Sequence, residues 1–374
     1  MAPLRVHFVC TGLGREARGF ETFTRSCAAA LRGESAIDLT VFAGGRMGHV
    51  TGERVMPNLP RSSRLARVAG AVLRRDPYFI EQGTFFLGYL GTLKREQPDL
   101  LYFADLNFGN AVWHWRERSG AKVRLLFYNG GNTTMPFTRC DHVQVLTPAA
   151  RDGALSRGEL PSRLTALPHG VDFDASWRPP TADARAAARR ALRLPADGEV
   201  LLSVGQLDRS IKRTHLLIEA VAALEGPKPF LHLVGADGPE RTDLCALATA
   251  RLGDHWRWEI LSREQMTLAY AAADRSALLS HGEGFGLAYV ESLGAGLPLL
   301  VHDDPTTRYV VADAGIRRPI SDAHTAHMGL RVLMTAPTDA ASKQARHDDV
   351  HARFAWDALR AQYVAMFQRA AVTP

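Results

Sequence analysis

Short apolar runs alternate with stretches of helical periodicity along the chain. The first half contains runs of large and β-branched residues with the length of buried strands. These runs are LRVHFVC (4–10), DLTVFAGG (38–45), DLLYFAD (99–105), KVRLLFYNGG (122–131) and HVQVLT (142–147). Between the first two runs a helix with one buried face is predicted, because apolar residues recur there at helical spacing, at Phe20, Phe23, Cys27 and Leu31.

The second half repeats this alternation. Its apolar runs are EVLLSVG (199–205), PFLHLVGADG (229–238), WRWEIL (256–261), SALLS (276–280) and LPLLVHDD (297–304), and helical patterns occupy 213–225, 240–252, 263–273 and 286–294. Strands that alternate with helices form parallel sheets covered by helices on both faces. Two such series predict two doubly wound, Rossmann-like α/β domains.

A proline pair marks the predicted boundary between these domains. Pro179 and Pro180 break regular structure within FDASWRPPTADA, at about 173–185. We expect an N-terminal domain over 1–175 and a C-terminal domain over 176–350. The amphipathic pattern in the remaining residues, 351–374, predicts a C-terminal helix over 351–371 that packs back toward the N-terminal domain.

Composition favours an ordinary globular protein, with 46% apolar and 22% charged residues. The beginning, MAPLRVHFVC, lacks the regions of a signal peptide, and no apolar run reaches the roughly 18 residues of a membrane span. The cysteines, Cys10, Cys27, Cys140 and Cys245, have neither zinc-site nor disulfide-framework spacing. We therefore expect a cytoplasmic protein without a metal site.

The charge balance is basic, with a formal net charge of +6. Most basic residues are arginine, a bias that the nucleotide composition of a genome can produce. The same charge would attract a nucleotide, a phosphorylated acceptor or an acidic membrane surface. The sequence has no zinc finger, RNP-type aromatic motif or dense basic tail, so nucleic acid is not an expected partner.

The stretch SHGEGFGLAYVESLGAGLPLL (280–300) carries the main candidate site, where a predicted strand turns into a helix. Ligands of open parallel sheets bind beyond the carboxyl ends of the strands. Gly284 and Gly286 let the backbone approach a ligand, and the helix start offers unpaired N–H groups to a diphosphate. Glu291 can accept both hydroxyls of a ribose, and Glu283 stands where the phosphate meets the group it carries. The competing interpretation is a capping Glu283 and a solvated Glu291.

The segment DRSALLSHGEGFGLAYVESLGAGLPLLV (274–301) resembles the nucleotide-sugar signature of the retaining GT-B glycosyltransferases of family 4. That signature is a pair of glutamates, the first leading into Gly-Phe-Gly-Leu. The upstream LSREQMTLAYAAAD (261–274) is similar to the family's preceding segment. The resemblance implies the GT-B fold, two Rossmann-like domains that face each other across a cleft. It also implies a catalytic Glu283 and a donor-binding set made of Gly284, Phe285, Gly286, Leu287 and Glu291.

A cation is expected to face the donor phosphates, and SVGQLDRSIKRTHLLIEAV (203–221) supplies the candidates. The family typically has Gly-Arg here, followed by a lysine. Gly205 and Lys212 match this pattern and imply donor binding, with Lys212 also catalytic. Gln206 departs from the family's arginine but keeps its place in the donor-binding set, together with Arg209, and either Arg209 or Arg213 is left to supply the second charge.

Loops of the N-terminal half are expected to contact the acceptor or a phosphate. Arg18 and Gly19, in CTGLGREARGFETF (10–23), resemble the family's first loop, with Arg18 replacing a glycine; a surface arginine beside a capped helix is the alternative. Asn129 and Gly130 follow a predicted strand at a place where many family members carry a histidine.

Three further features of this half leave alternatives open. His169, in LPHGVDFD (167–174), is either a contact of the acceptor or an ordinary loop histidine. Asp105 and Asn107, in FADLNFGN (103–110), stand at a strand end where acceptor contact is open. RSSRLARVAGAVLRR (61–75) predicts a basic amphipathic helix that either touches anionic lipid or a phosphorylated acceptor or is solvated, so contact with the inner face of the membrane stays open.

The resemblance implies a retaining, metal-independent glycosyltransferase that needs no cofactor and takes a nucleotide diphosphate sugar as donor. The expected acceptor is a small molecule, a glycan or a lipid-linked hydroxyl compound. Rival interpretations are a non-hydrolysing sugar-nucleotide epimerase, a dinucleotide-dependent dehydrogenase and a non-catalytic nucleotide-sugar-binding subunit. The absence of a clean GxGxxG after residues 4–10 counts against the dehydrogenase. The donor base, the sugar, the acceptor and the oligomeric state stay open.

Overall fold

A computed structural model describes residues 2–15, 19–45, 53–131, 137–173 and 177–372. The chain divides into two compact units. Unit 1 comprises Met1–Val171 and Trp356–Pro374, and unit 2 comprises Asp172–Ala355. The predicted domain boundary falls after residue 175, whereas the structure divides the chain after Val171.

Unit 1 is built on a parallel sheet in the order β3-β2-β1-β4-β5-β6-β7. Its strands are β1 (Leu4–Cys10), β2 (Ile37–Ala43), β3 (Glu53–Val55), β4 (Leu100–Phe103), β5 (Arg124–Asn129), β6 (His142–Val145) and β7 (Leu164–Ala166). Its helices are α1 (Gly19–Ala30), α2 (Arg64–Leu73), α3 (Pro77–Glu96), α4 (Leu106–Ser119), α5 (Pro148–Ser156) and, from the chain end, α14 (Trp356–Val372). The apolar runs of β1, β4 and β5 are buried on both faces, as in a sheet covered by helices on both sides.

Unit 2 contains a second parallel sheet, in the order β10-β9-β8-β11-β12-β13. Its strands are β8 (Val200–Val204), β9 (Phe230–Val234), β10 (Trp256–Glu259), β11 (Arg275–Leu278), β12 (Leu299–His302) and β13 (Ile316–Arg318). Its helices are α6 (Ala182–Ala191), α7 (Thr214–Ala222), α8 (Arg241–Leu252), α9 (Arg263–Ala272), α10 (Leu287–Gly294), α11 (Pro305–Val310), α12 (Ala323–Met334) and α13 (Ala340–Phe354). The predicted class, two doubly wound α/β domains, is confirmed by the strand orders of both sheets.

Residues 351–371 are predicted to form one helix, but in the structure they belong to two. Ala355 has φ −65° and ψ 147° and separates α13 from α14, so residues 351–371 belong to two helices. The backbone N–H of Trp356 donates to the carbonyl of Val171 at 3.3 Å, where the chain re-enters unit 1. The break involves neither proline nor glycine, so the sequence carries no local signal for it.

The structure also contains short strands that the apolar pattern does not predict, namely β3, β7 and β13. Each has three residues and stands at or beside an edge of its sheet. Among the described residues, no helix combines the length and the apolar character needed to cross a bilayer.

Candidate functional site

The main predicted site residues of unit 2 follow two neighbouring strands. β8 and β11 are paired in parallel, with Leu201 opposite Arg275. From β8 the chain continues to β9 on one side, whereas β11 lies on the other, so the strand order reverses between them. Such a switch point is where open α/β sheets bind ligands. The loops that begin at Gly205 and Leu279 both start at this edge.

Lys212 is held in place by the loop that follows β8. The Asp208 carboxylate accepts the backbone N–H of Ile211 at 2.6 Å and that of Lys212 at 2.8 Å. The Asp208 carbonyl accepts the N–H of Thr214 at 2.9 Å, at the first residue of α7. Asp208 was not predicted from the sequence as a site residue. An aspartate whose side chain accepts backbone N–H groups a few residues further along the chain is, however, typical of turns.

The structure brings together the two residues predicted to be catalytic. The Lys212 ammonium donates a hydrogen bond to the Glu283 carboxylate, and the two side chains are 27% and 19% exposed. The hydroxyl of Thr306 donates to the Glu283 carbonyl at 3.0 Å. The N–H of His281 donates to the carbonyl of Ile211 at 2.8 Å, which joins the two loops directly. The largely buried pair is therefore positioned by backbone contacts on both sides.

Glycine is required at two positions around this pair. Gly286 has φ +81°, and a Cβ there would stand 3.1 Å from Cγ of the buried Tyr289 and closer still to other ring carbons. Gly205 has φ +154°, and a Cβ there would stand 3.0 Å from the Lys212 side chain. α10 begins directly after Gly286, and no side chain of the described residues caps its first turn. The N–H of Tyr289 donates to the Gly286 carbonyl at 2.9 Å, so the amides left for solvent or a ligand are those of Leu287 and Ala288.

Glu291 lies within α10, and the hydroxyl of Tyr270 donates to its carboxylate at 2.8 Å. Burial raises the pKa of the Glu291 carboxyl, while the Tyr270 hydrogen bond and Arg263 lower it. The interpretation of Glu291 as a solvated surface residue does not fit this position. Phe285 is 2% exposed and packs against Phe354 at 5.4 Å between ring centroids, so only its backbone remains as a predicted donor contact.

Gln206, which stands in place of the family's arginine, and the two candidates for the second cation, Arg209 and Arg213, have different surroundings. Gln206 donates its side-chain amide to the carbonyl of Asp237 at 3.1 Å. The Arg213 guanidinium donates to the carbonyls of Leu279 at 2.7 Å and Ile320 at 2.6 Å. The Arg209 side chain is 44% exposed, with its Nε 3.8 Å from a Glu240 oxygen. Arg213 therefore binds the backbone just after β11 and after β13, and Arg209 is the more accessible of the two cations.

In unit 1 the strand order reverses between β1 and β4, and the candidate acceptor residues lie along the same edge. Gly19 is the first residue of α1, and a Cβ there would meet nothing within 4 Å. Asn129 ends β5, Gly130 follows it, and both are half-buried. Arg18 falls outside the described residues.

His169 and Asp105 are interior residues, which argues against the acceptor contacts considered for them. His169 is 5% exposed, bonds the Tyr128 hydroxyl through Nε2 and stands edge-on to Phe23 at 4.7 Å. Burial lowers the pKa of His169 to about 3, so the ring is neutral near pH 7. Asp105 is 3% exposed and accepts the N–H of Thr11 at 2.9 Å together with the Tyr78 hydroxyl. Both side chains serve the packing of unit 1.

Comparison with known proteins bears on unit 2 first. Residues 184–336 match the family described as glycosyl transferases group 1. D-inositol 3-phosphate glycosyltransferase of Mycobacterium avium (strain 104) is 30% identical over 221 residues, which cover 56% of this chain and 50% of that protein. The chain thus spans about half the length of the curated relatives it matches.

Solved structures resemble both units over nearly the whole chain. Sucrose-phosphate synthase from Thermosynechococcus elongatus has a TM-score of 0.76 at 20% identity, covering 98% of each chain. Anabaena Alr3699/HepE, solved in complex with UDP-glucose, has a TM-score of 0.72 at 16% identity, covering 98% of this chain and 99% of that one. At these identities the likeness concerns the fold. The protein therefore has the GT-B fold, and its residues 184–336 carry the sequence pattern of the glycosyl transferases group 1.

Proposed function

We propose that this protein is a retaining glycosyltransferase that moves a sugar from a nucleotide diphosphate sugar to an acceptor hydroxyl, without a metal ion or cofactor. The observation that carries the proposal is the pairing of Lys212 with Glu283 at the switch point of unit 2, beside the uncapped start of α10. The match of residues 184–336 to a glycosyltransferase family supports it.

The donor diphosphate is assigned to the N-terminus of α10 and to Lys212. Negative charge grows on the departing diphosphate, and a preorganised cation with helix amides stabilises it. In the structure Lys212 is paired with Glu283. A bound diphosphate would compete for the ammonium, which would release the Glu283 carboxylate toward the sugar. Glu291 is assigned to the ribose hydroxyls and Arg209 to the second positive charge.

In the proposed front-face reaction, the bond between the anomeric carbon and the diphosphate oxygen breaks. The bond from the acceptor oxygen to that carbon forms on the same face, so the configuration is retained. The acceptor proton passes to an oxygen of the leaving diphosphate, and no side chain acts as a nucleophile. Glu283 steadies the electron-poor sugar. Unit 1, with Gly19, Asn129 and Gly130 along its sheet edge, is assigned to the acceptor.

Binding is tested first, by melting curves in the presence of UDP-, GDP-, ADP- and TDP-sugars at millimolar concentration. The correct donor raises the melting temperature because it binds only the folded protein. At a concentration a hundredfold above Kd it adds about 2.7 kcal/mol to the free energy of unfolding. Donor breakdown and transfer are then followed by chromatography, with and without EDTA. The anomeric configuration of the product is read by NMR. Conversion of the donor sugar with no acceptor present would indicate an epimerase instead.

Matched variants test the roles of the pair. Lys212→Met and Glu283→Gln should each lower turnover by about a hundredfold or more, the usual loss when one electrostatic contact to the transition state is removed. Lys228→Met and Glu225→Gln remove the same charges at exposed positions of unit 2 and should leave turnover unchanged. Normal turnover in either site variant, or no response to any nucleotide sugar, would contradict the proposal.

A further inference from the structure

The helix α2 of unit 1 has an apolar face that its own unit does not cover. The exposed fractions of Leu65, Val68, Val72 and Leu73 are 66%, 62%, 77% and 59%. The opposite face is the one that packs, since Ala66 and Gly70 are its buried residues. Leu87 of the neighbouring α3 is also 69% exposed. A cluster of exposed aliphatic side chains on one helix marks an interaction surface.

Arginine surrounds this face, and the acid that follows it in sequence, Asp76, caps the N-terminus of α3 by accepting the N–H of Tyr78. The sequence from Arg54 to Arg75 contains no Asp or Glu, and α2 with its C-terminal flank contributes Arg64, Arg67, Arg74 and Arg75. All four are exposed, and none of them forms an ion pair with a described residue. Arg74 adopts a left-handed conformation, φ 53°, at the helix end, where glycine is the favoured residue. The patch therefore combines an excess of positive charge with aliphatic surface.

We propose that α2 docks on an anionic lipid surface, lying in the interface with Leu65, Val68, Val72 and Leu73 inserted and the arginines at the headgroups. A short helix with one aliphatic and one arginine-rich face has this chemistry. The long arginine stems reach the headgroups while their methylenes stay with the apolar layer.

Two other occupants fit the patch less well. A second copy related by a twofold axis would bring the same arginines face to face, with no acid in the patch to pair them. A protein partner usually anchors on Trp or Tyr, whereas leucine and valine are under-represented among such anchors, and this face holds only aliphatic residues.

The segment before α2 is fixed to the interior of unit 1. Arg61 donates to the Glu81 carboxylate at 2.6 and 3.1 Å and lies 3.8 Å above the Tyr78 ring. Tyr78 in turn donates its hydroxyl to Asp105, the residue that also accepts the N–H of Thr11. The docking helix is thereby tied to the loops that follow β1 and β4. This proposal does not rest on the proposed reaction, because it concerns lipid binding alone.

The test is co-sedimentation of the full chain with vesicles of equal parts phosphatidylglycerol and phosphatidylcholine, against pure phosphatidylcholine. We expect binding only to the anionic vesicles, weakened at high salt. Arg67→Gln with Arg74→Gln should lower the partition coefficient by about 25-fold, roughly fivefold for each arginine. Val68→Ser with Val72→Ser should lower it by more than about tenfold at unchanged net charge.

Arg25→Gln with Arg118→Gln, exposed on other helices of unit 1, is the matched control and should bind as the wild type does. Melting temperatures within a few degrees of wild type verify folding of each variant. Equal losses in the control, or binding insensitive to the valine substitutions, would overturn the proposal, since either leaves only general charge attraction. Absence of vesicle binding would overturn it too. A dimer in sedimentation velocity that the valine variant loses would assign the face to a second copy instead.

Discussion

Replacing Gly286 by alanine tests whether the backbone at the start of α10 shapes the candidate site. Gly286 has φ +81°, a conformation that costs an alanine about 1–2 kcal/mol. The new Cβ would also stand 3.1 Å from Cγ of Tyr289 and closer to its ring edge. Tyr289 is 1% exposed and has no room to swing away. Overpacking of this kind adds about 1–3 kcal/mol.

The sum is a loss of about 2–5 kcal/mol, which corresponds to a fall of roughly 4–20 °C in the melting temperature of a unit of this size. Gly198→Ala is the matched control. Gly198 has φ +83°, but a Cβ there meets nothing within 4 Å, so only the backbone contribution applies. Guanidinium denaturation of both variants separates the two contributions.

A second substitution isolates the ring. In Gly286→Ala with Tyr289→Leu, the clash is relieved, so the double variant should be more stable than the sum of the single effects. Nucleotide-sugar binding should be lost in Gly286→Ala and kept in Gly198→Ala, because only the former displaces the first turn of α10. Equal stability of the two alanine variants would refute the packing argument around Tyr289.

Three more outcomes follow from single contacts. Asp208→Ala removes the acceptor for the N–H groups of Ile211 and Lys212. These two hydrogen bonds stabilise the loop by about 2 kcal/mol together, so the affinity for the donor, measured by calorimetry, should fall by up to roughly 30-fold. Asp208→Asn keeps the acceptor oxygen and should bind the donor nearly as the wild type does. Glu291→Gln keeps an acceptor for Tyr270 but no buried charge; because burial raises the pKa of Glu291, the wild type loses stability as pH rises through that pKa, so the variant should melt at an equal or higher temperature at pH 7 while donor affinity drops. Burial lowers the pKa of His169 to about 3, so its ring stays neutral while the unfolded chain takes up a proton below about pH 6.5, and this histidine contributes about 1.4 kcal/mol per pH unit to the loss of stability toward low pH. Burial also lowers the pKa values of His7 and His142 to about 4, so His169→Gln should reduce the slope of stability against pH between 6 and 4 by that amount and leave the contributions of the other two. An unchanged slope in His169→Gln, a tight-binding Asp208→Ala or a destabilised Glu291→Gln would each contradict the corresponding contact.

The sequence by itself determined the elements that build both sheets. Strands buried on both faces are predominantly apolar runs of a few residues, so β1, β5, β8 and β9 are evident from the order of residues along the chain. The turn at Gly284 and Gly286 was also evident, because glycine before a helix is a local signal. The three-residue edge strands carry too few residues to form such a pattern.

Tertiary structure decided which side chains meet. Lys212 and Glu283 are 71 positions apart, and their contact exists because β8 and β11 are neighbours in the sheet, which strand order settles and local sequence does not. The carbonyls that bind Arg213 likewise come from distant segments, so this contact could not be predicted from the local sequence.

Burial was the other property that only the fold fixed. His169 follows a loop-like sequence, yet its ring is enclosed by Phe23 and Tyr128 from elements far away in the chain. Exposure of α2 shows the reverse case, since an apolar stripe at helical spacing usually faces a core. Periodicity tells which side chains share a face, but whether that face meets protein or solvent depends on what the rest of the chain packs against it.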